Sequence, residues 1–132
     1  MPPRDGRDLA RALLERAAGD EALVRKVLDD PRIPNAIVGF HAQQAVEKAV
    51  KAVLAARGIR FPRTHALGFL IGLVEANGIP GPPELAGADV LEPWAVEFRY
   101  ETAPEPDLDR AAALRLVEEI SSWAVAEVDQ KS

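Results

Sequence analysis

The stretch from Asn35 to Arg57 limits the fold of this chain more than any other. Its apolar residues Val38, Ala42, Ala45, Val46, Ala49, Val50 and Val53 recur every three or four positions, which is the spacing of one face of a helix. Asn35 is suited to cap the start. Gly58 follows the last turn and supplies the left-handed backbone common just beyond a helix end. A helix with so wide an apolar stripe has to bury it against other elements, and no period-two strand pattern occurs anywhere to provide a sheet.

The partners are helical too. Leu9, Leu13, Leu14 and Ala17, then Leu23, Val24, Val27 and Leu28, predict one broken helix or two collinear ones over about 5–29, weakened at Gly19 and ended by Pro31 and Pro34. Thr64 is placed to cap a further helix carrying Leu67, Leu70, Ile71 and Val74, stopped by Asn77-Gly78. After the rigid Ile79–Pro83 loop, Leu85 to Tyr100 reads as a helix with a kink or late start at Pro93. Asp107 or Asp109 then caps a last helix to about Val128, with Leu116, Ile120, Trp123 and Ala124 inward. The expected architecture is all-α: an antiparallel up-and-down bundle of four long helices plus short extra ones, in a single domain over 1–132.

Composition agrees and also excludes. Hydrophobic residues make up 48% of the chain but aromatics only 5%, so Ala, Leu and Val must fill the core, and Ala and Leu favour helix. The absence of Cys removes disulfides and thiolate metal sites. No apolar run approaches the roughly 20 residues of a membrane span, and the N-terminal residues carry no signal-peptide pattern, so a cytoplasmic protein without membrane association is expected. No phosphate-binding glycine loop, nucleophile elbow or paired-His metal motif is present, and no metal or cofactor is expected. Ser121, Ser122 and Ser132 are the only serines, and none is near a His in sequence.

The net charge of −5 argues against a surface basic all round, yet Lys48, Lys51, Arg57, Arg60 and Arg63 lead to His65 with no acid between them. This run is either an anion-binding patch or ordinary cations near a helix C-terminus. His41, Gln44, Lys48 and Lys51 advance by three or four residues and share a polar face; Glu47 and Lys51 form an i,i+4 pair worth about 0.3–0.5 kcal/mol on an exposed surface. Arg99 and Tyr100 offer a planar donor fork beside a ring, or a terminal cation and a packed phenol. His65 either serves a ligand or shapes its loop. The ligand-binding candidates are therefore Arg99, Tyr100, His65, Lys48, Lys51, His41 and Gln44.

Three segments, in order, carry a resemblance. Phe40-His41-Ala42-Gln43-Gln44-Ala45-Val46-Glu47-Lys48-Ala49-Val50-Lys51-Ala52 resembles the long second helix of the HEPN family (higher eukaryote and prokaryote nucleotide-binding domains). Gly58-Ile59, Phe61-Pro62, Thr64-His65 and Leu67 resemble the loop and helix start that follow it; Pro93-Trp94 through Arg99-Tyr100 resembles its Arg-Tyr segment. The resemblance implies a helical bundle that homodimerises and a nucleotide- or nucleic-acid-binding module that docks a minimal nucleotidyltransferase, in some cases as a toxin–antitoxin pair. Ribonuclease members of the family carry an Arg, a spacing of four to six residues and a His; Arg99 matches the Arg, but no His follows it. Arg60 and His65 fit the letters of that motif in a different place. Ala66 stands where the family often has Asp, and Glu101 where Pro commonly follows Arg-Tyr. The expectation is thus recognition rather than stand-alone catalysis. Two alternatives stay open: a metal-independent ribonuclease using Arg99 with His65 or His41 brought up in space, and a purely structural dimerisation subunit whose His41, Gln44 and Lys48 stripe pairs across a two-fold axis.

Overall fold

In the computed structural model, residues 6–95 and 107–130 are described. They form helices α1 (Gly6–Val27), α2 (Asn35–Ala56), α3 (Leu67–Ala76), a 3-10 helix (Pro83–Ala95) and α4 (Arg110–Asp129). Among the described residues there is no strand.

Small side chains bring α1 and α2 together. Ala10, Ala17 and Val24, seven residues apart, are the buried positions of α1. They face α2, which buries Val38, Ala42, Ala45, Val46, Ala49, Val50 and Val53. At the α1 start, Gly6 lies so close to the Ala55 carbonyl that a Cβ would collide with it. Gly6 thus meets the end of α2, and Asp20 meets His41 and Lys48 further back along it, so α1 runs antiparallel to α2. Contacts from Arg7 to Gln130 and from Arg25 to Glu118 make α1 antiparallel to α4 as well. Leu54 of α2, Leu67 and Leu70 of α3 and Ile120 of α4 are fully buried in one core, in which α3 and α4 each pack on α2. Burial of each contributes about 1.5–3 kcal/mol.

Several boundaries differ from the sequence expectation. The α1 helix passes through Gly19 unbroken, because tertiary packing on either side outweighs the ~1 kcal/mol propensity deficit of one glycine. Leu9 and Leu23, part of the periodic apolar pattern, are 49% and 37% exposed, so the buried stripe of α1 is narrower than the periodic one. At the start of α2 the capping position is Pro34, and the Asn35 side chain instead accepts from Arg110 Nε at 2.9 Å. Thr64 is likewise not the cap of α3, which begins at Leu67; its hydroxyl accepts from Ala66 N at 3.0 Å within the preceding turn. Among the described residues three helices are long, of 22, 22 and 20 residues, beside the ten-residue α3 and a 3-10 segment, so the all-α class is found and the expected arrangement of four long helices is matched only in part. The segment Pro83–Ala95 takes the tighter 3-10 form, with Pro93 inside it. The remainder of that expected helix, from residue 96 to Tyr100, lies outside the described residues.

Other stop and start signals are found where the sequence placed them. Gly58 and Gly78 adopt φ of +70° and +68° just beyond α2 and α3. The Asp109 carboxylate accepts from Ala112 N at 2.9 Å and caps α4. Ile120 and Ala124 are buried, and Trp123 is partly so, its indole N–H donating to the Pro80 carbonyl at 2.7 Å. Arg110 holds the opposite end of the molecule: besides Asn35, its guanidinium donates to the carbonyls of Val27, Leu28, Asp30 and Ile33, tying the α1–α2 connection to the start of α4. No helix among the described residues is long and apolar enough to cross a membrane.

Candidate functional site

The polar side of α2 resolves into two clusters, each built on one carboxylate. The first is Asp20 of α1, only 11% exposed at its side chain. Its Oδ1 lies 2.9 Å from His41 Nδ1 and its Oδ2 accepts from Lys48 Nζ at 2.6 Å. The His41 ring also stands edge-on to Phe40, with centroids 5.2 Å apart. Asp20 therefore fixes two of the candidate residues and joins α1 to α2 at the same time.

The second cluster is centred on Glu47, whose side chain is 4% exposed. Its Oε1 accepts from Gln43 Nε2 at 2.8 Å and lies 2.8 Å from His65 Nδ1, while its Oε2 accepts from Lys51 Nζ at 2.9 Å. Gln43 is fully buried and takes the Gln44 amide N–H on its own carbonyl oxygen at 2.7 Å. A buried carboxylate without partners would be strongly unfavourable, and here three donors satisfy it. Glu47 is accordingly no exposed i,i+4 partner of Lys51, and the surface-pair estimate does not apply to it.

The basic run from Lys48 to His65 divides in the same way. Lys48 is matched to Asp20, Lys51 to Glu47, and Arg57 to Glu127 of α4. Arg60 and Arg63, on the α2–α3 connection, are exposed and have no acidic partner among the described residues. His65 lies on this connection too, with its side chain 66% exposed although its Nδ1 is tied to a buried group. Phe61 sits between them in sequence, partly buried against the core, its centroid 5.9 Å from Lys51 Nζ. The connection thus carries an exposed imidazole held at Nδ1 and two exposed guanidinium groups that have no acidic partner among the described residues.

His41, Gln44, Lys48, Lys51 and His65 thus fall along one side of α2 and its following loop, while Arg99 and Tyr100 lie outside the described residues. Sequence reasoning did not single out Asp20 or Gln43 as site residues, and it noticed Glu47 only as an i,i+4 partner of Lys51, a pair that the structure contains. Gln43 and Glu47 could have been noticed as an i,i+4 polar pair; Asp20 carried no local signal, because its partners are on another helix. Among the described residues no three His, Asp or Glu side chains are grouped to hold a metal ion. A groove of about 490 Å³ between α1 and α4, lined by Ala17, Ala18, Ser121 and Ser122 among others, is separate from both clusters.

The described residues form an all-helical domain with two carboxylate-centred polar clusters along its second helix. The chain belongs to the HEPN domain family, whose model matches residues 10–128. At the family level it is a nucleotide- or RNA-related module. Comparison with curated proteins and with solved structures gave no match.

Proposed function

We propose that this chain is a nucleotide- or RNA-binding subunit that works through contact with a partner protein. The observation that carries the reading is that the exposed, carboxylate-oriented His65 shares one connection with exposed Arg60 and Arg63, whose charges no acid among the described residues neutralises. Guanidinium groups without an acidic partner among the described residues, in a protein of net charge −5, are suited to phosphate, which they meet with a planar donor fork. From the family resemblance, the partner is a minimal nucleotidyltransferase docked by a homodimer of this chain, in a cytoplasmic setting and in some cases as a toxin–antitoxin pair. Arg99 and Tyr100, candidates from the sequence, lie outside the described residues and remain part of this proposal.

Fluorescence anisotropy with a labelled single-stranded RNA tests the binding. Replacing Arg60 and Arg63 together by Ala should weaken binding about tenfold at low salt and flatten the salt dependence by about 1.4 in log–log slope, two phosphate contacts at ~0.7 each. Unchanged affinity and slope would remove these residues from the interface. Co-purification with a nucleotidyltransferase tests the docking, and separation of the two proteins at micromolar concentration would reject it.

The Glu47–His65 pair also favours a second reading, a metal-independent ribonuclease in which the imidazole takes the 2′-hydroxyl proton and Arg99 steadies the phosphate. Cleavage of RNA by the wild type and its loss in both His65→Ala and Arg99→Ala would support it; equal residual cleavage by all three proteins would dismiss it. The purely structural reading is weakened, because His41, Gln44, Lys48 and Lys51 find their partners within one chain and need no two-fold axis to satisfy them.

A further inference from the structure

A groove between the 3-10 helix and α4 shares no residue with the polar clusters of α2. It has two compartments, of about 310 and 260 Å³, which meet at Ala112 and Leu116. Those two residues are four apart and so stand one above the other on a single face of α4. Val90, Leu91 and Trp94 line it from the 3-10 helix, and Leu108 lines the same compartment. Leu91 and Trp94 are buried, whereas Val90 is 67% exposed, the most exposed large apolar side chain among the described residues. The groove is thus apolar in its floor and open to water at its edge.

The charges around it are mostly of one sign. Asp107 and Asp109 line one compartment, Glu84 and Glu119 the other, and the only base beside these four carboxylates is Arg115. None of the four has a cationic partner among the described residues; Asp109 only accepts the Ala112 N–H of its own helix. Apolar surface rimmed by unmatched carboxylates is complementary to apolar surface rimmed by cations. Both walls are helical, and no strand among the described residues offers an edge with which an extended peptide could pair. A helix fits such a place, because it sets apolar side chains into a groove at a spacing of three or four residues and keeps its charges at the sides.

We infer that this groove docks a basic amphipathic helix of a partner protein. Its apolar side chains enter between Leu116 and Trp94, and its flanking Lys or Arg residues meet Glu84 and Glu119 at one end and Asp107 at the other. The inference is independent of the nucleic-acid-binding reading, since it uses none of the residues assigned there.

An NMR titration of the full chain with two synthetic helical peptides tests it. Both carry the same leucine pattern; one has Lys at every polar position and the other Glu. The Lys peptide should shift the resonances of Ala112, Leu116 and the Trp94 indole, and it should bind at least about tenfold more tightly than the Glu peptide at low salt. Replacing Glu84 and Glu119 together by Gln should weaken the Lys peptide about fivefold, as expected of two rim ion pairs. Leu116→Gln, with its helical circular dichroism retained, should weaken it at least about tenfold. Equal binding of the two peptides would overturn the charge complementarity. Absence of binding, or shifts confined to other faces, would overturn the docking site. A wild-type dimer that Leu116→Gln converts to a monomer would give the groove to a second copy of this chain and overturn the inference as well.

Discussion

Glu47 and His65 are joined at 2.8 Å across the turn from α2 to α3, one buried at 4% side-chain exposure and the other exposed at 66%. The buried partner is where the stability of the site resides, since its charge is balanced only by the groups around it. Glu47→Ala would leave Lys51, 14% exposed, without its carboxylate, and Gln43 without an acceptor. We expect a loss of about 3 kcal/mol in urea unfolding. His65→Ala, which removes only the exposed partner, should cost less than about 1 kcal/mol. Equal effects of the two substitutions would contradict this division.

Arg110 offers a test of geometry separate from charge. Its five hydrogen bonds to Asn35 and to the carbonyls of Val27, Leu28, Asp30 and Ile33 rely on a planar fork that an ammonium cannot reproduce. Arg110→Lys should therefore destabilise the protein by about 2 kcal/mol despite keeping the charge. Hydrogen exchange should show the 28–34 connection opening more readily in the variant. Protection equal to that of the wild type would mean the connection is held by other contacts.

The Trp94 ring lies directly on the backbone of α2 at Gly39, where an added Cβ would come within 2.5 Å of ring atoms. Alanine normally favours a helix over glycine by about 1 kcal/mol. At this position the clash should reverse the sign, and Gly39→Ala should lower stability by about 1–3 kcal/mol. Trp94 fluorescence, read in a Trp123→Phe background, should shift as the indole is displaced. A stabilised variant would show that the ring has room to move.

Asp30 provides the pH dependence. Hydrogen bonds from the Arg32 side chain, then from the Arg32 backbone N–H, hold its carboxyl below the ordinary value of 3.8, against a smaller opposing effect of burial. A carboxyl lowered on folding contributes stability that is complete above its unfolded value and is lost as the pH falls through its folded one. The stability difference between wild type and Asp30→Asn should hence be constant from neutrality to about pH 5 and shrink below about pH 4. A difference that grows with acid would reverse the assigned direction. The group is exposed, so the effect should be small.

Much of the fold is legible in order along the chain. The α2 stripe, the glycines at 58 and 78 and the Asp109 cap act through the backbone within one turn, and their effect is readable from neighbouring residues alone. The same holds for the family, since its motifs are contiguous. The Thr64 and Asn35 caps were misjudged because both side chains have competing partners, one in the preceding turn and one on α4. The 3-10 form of Pro83–Ala95 was not legible, because helical spacing of apolar residues does not report whether the hydrogen bonds close at three residues or four.

The sequence alone determined that this protein is helical, which face of α2 is apolar, and that a basic run leads to His65. Only the tertiary structure decided which of those charges are spent inside the molecule. Asp20 reaches Lys48 from α1, Glu127 reaches Arg57 from α4, and Glu47, which reads as a surface residue, is buried. A charge's availability depends on what lies within a few ångströms of it, and those neighbours come from residues far away in the chain.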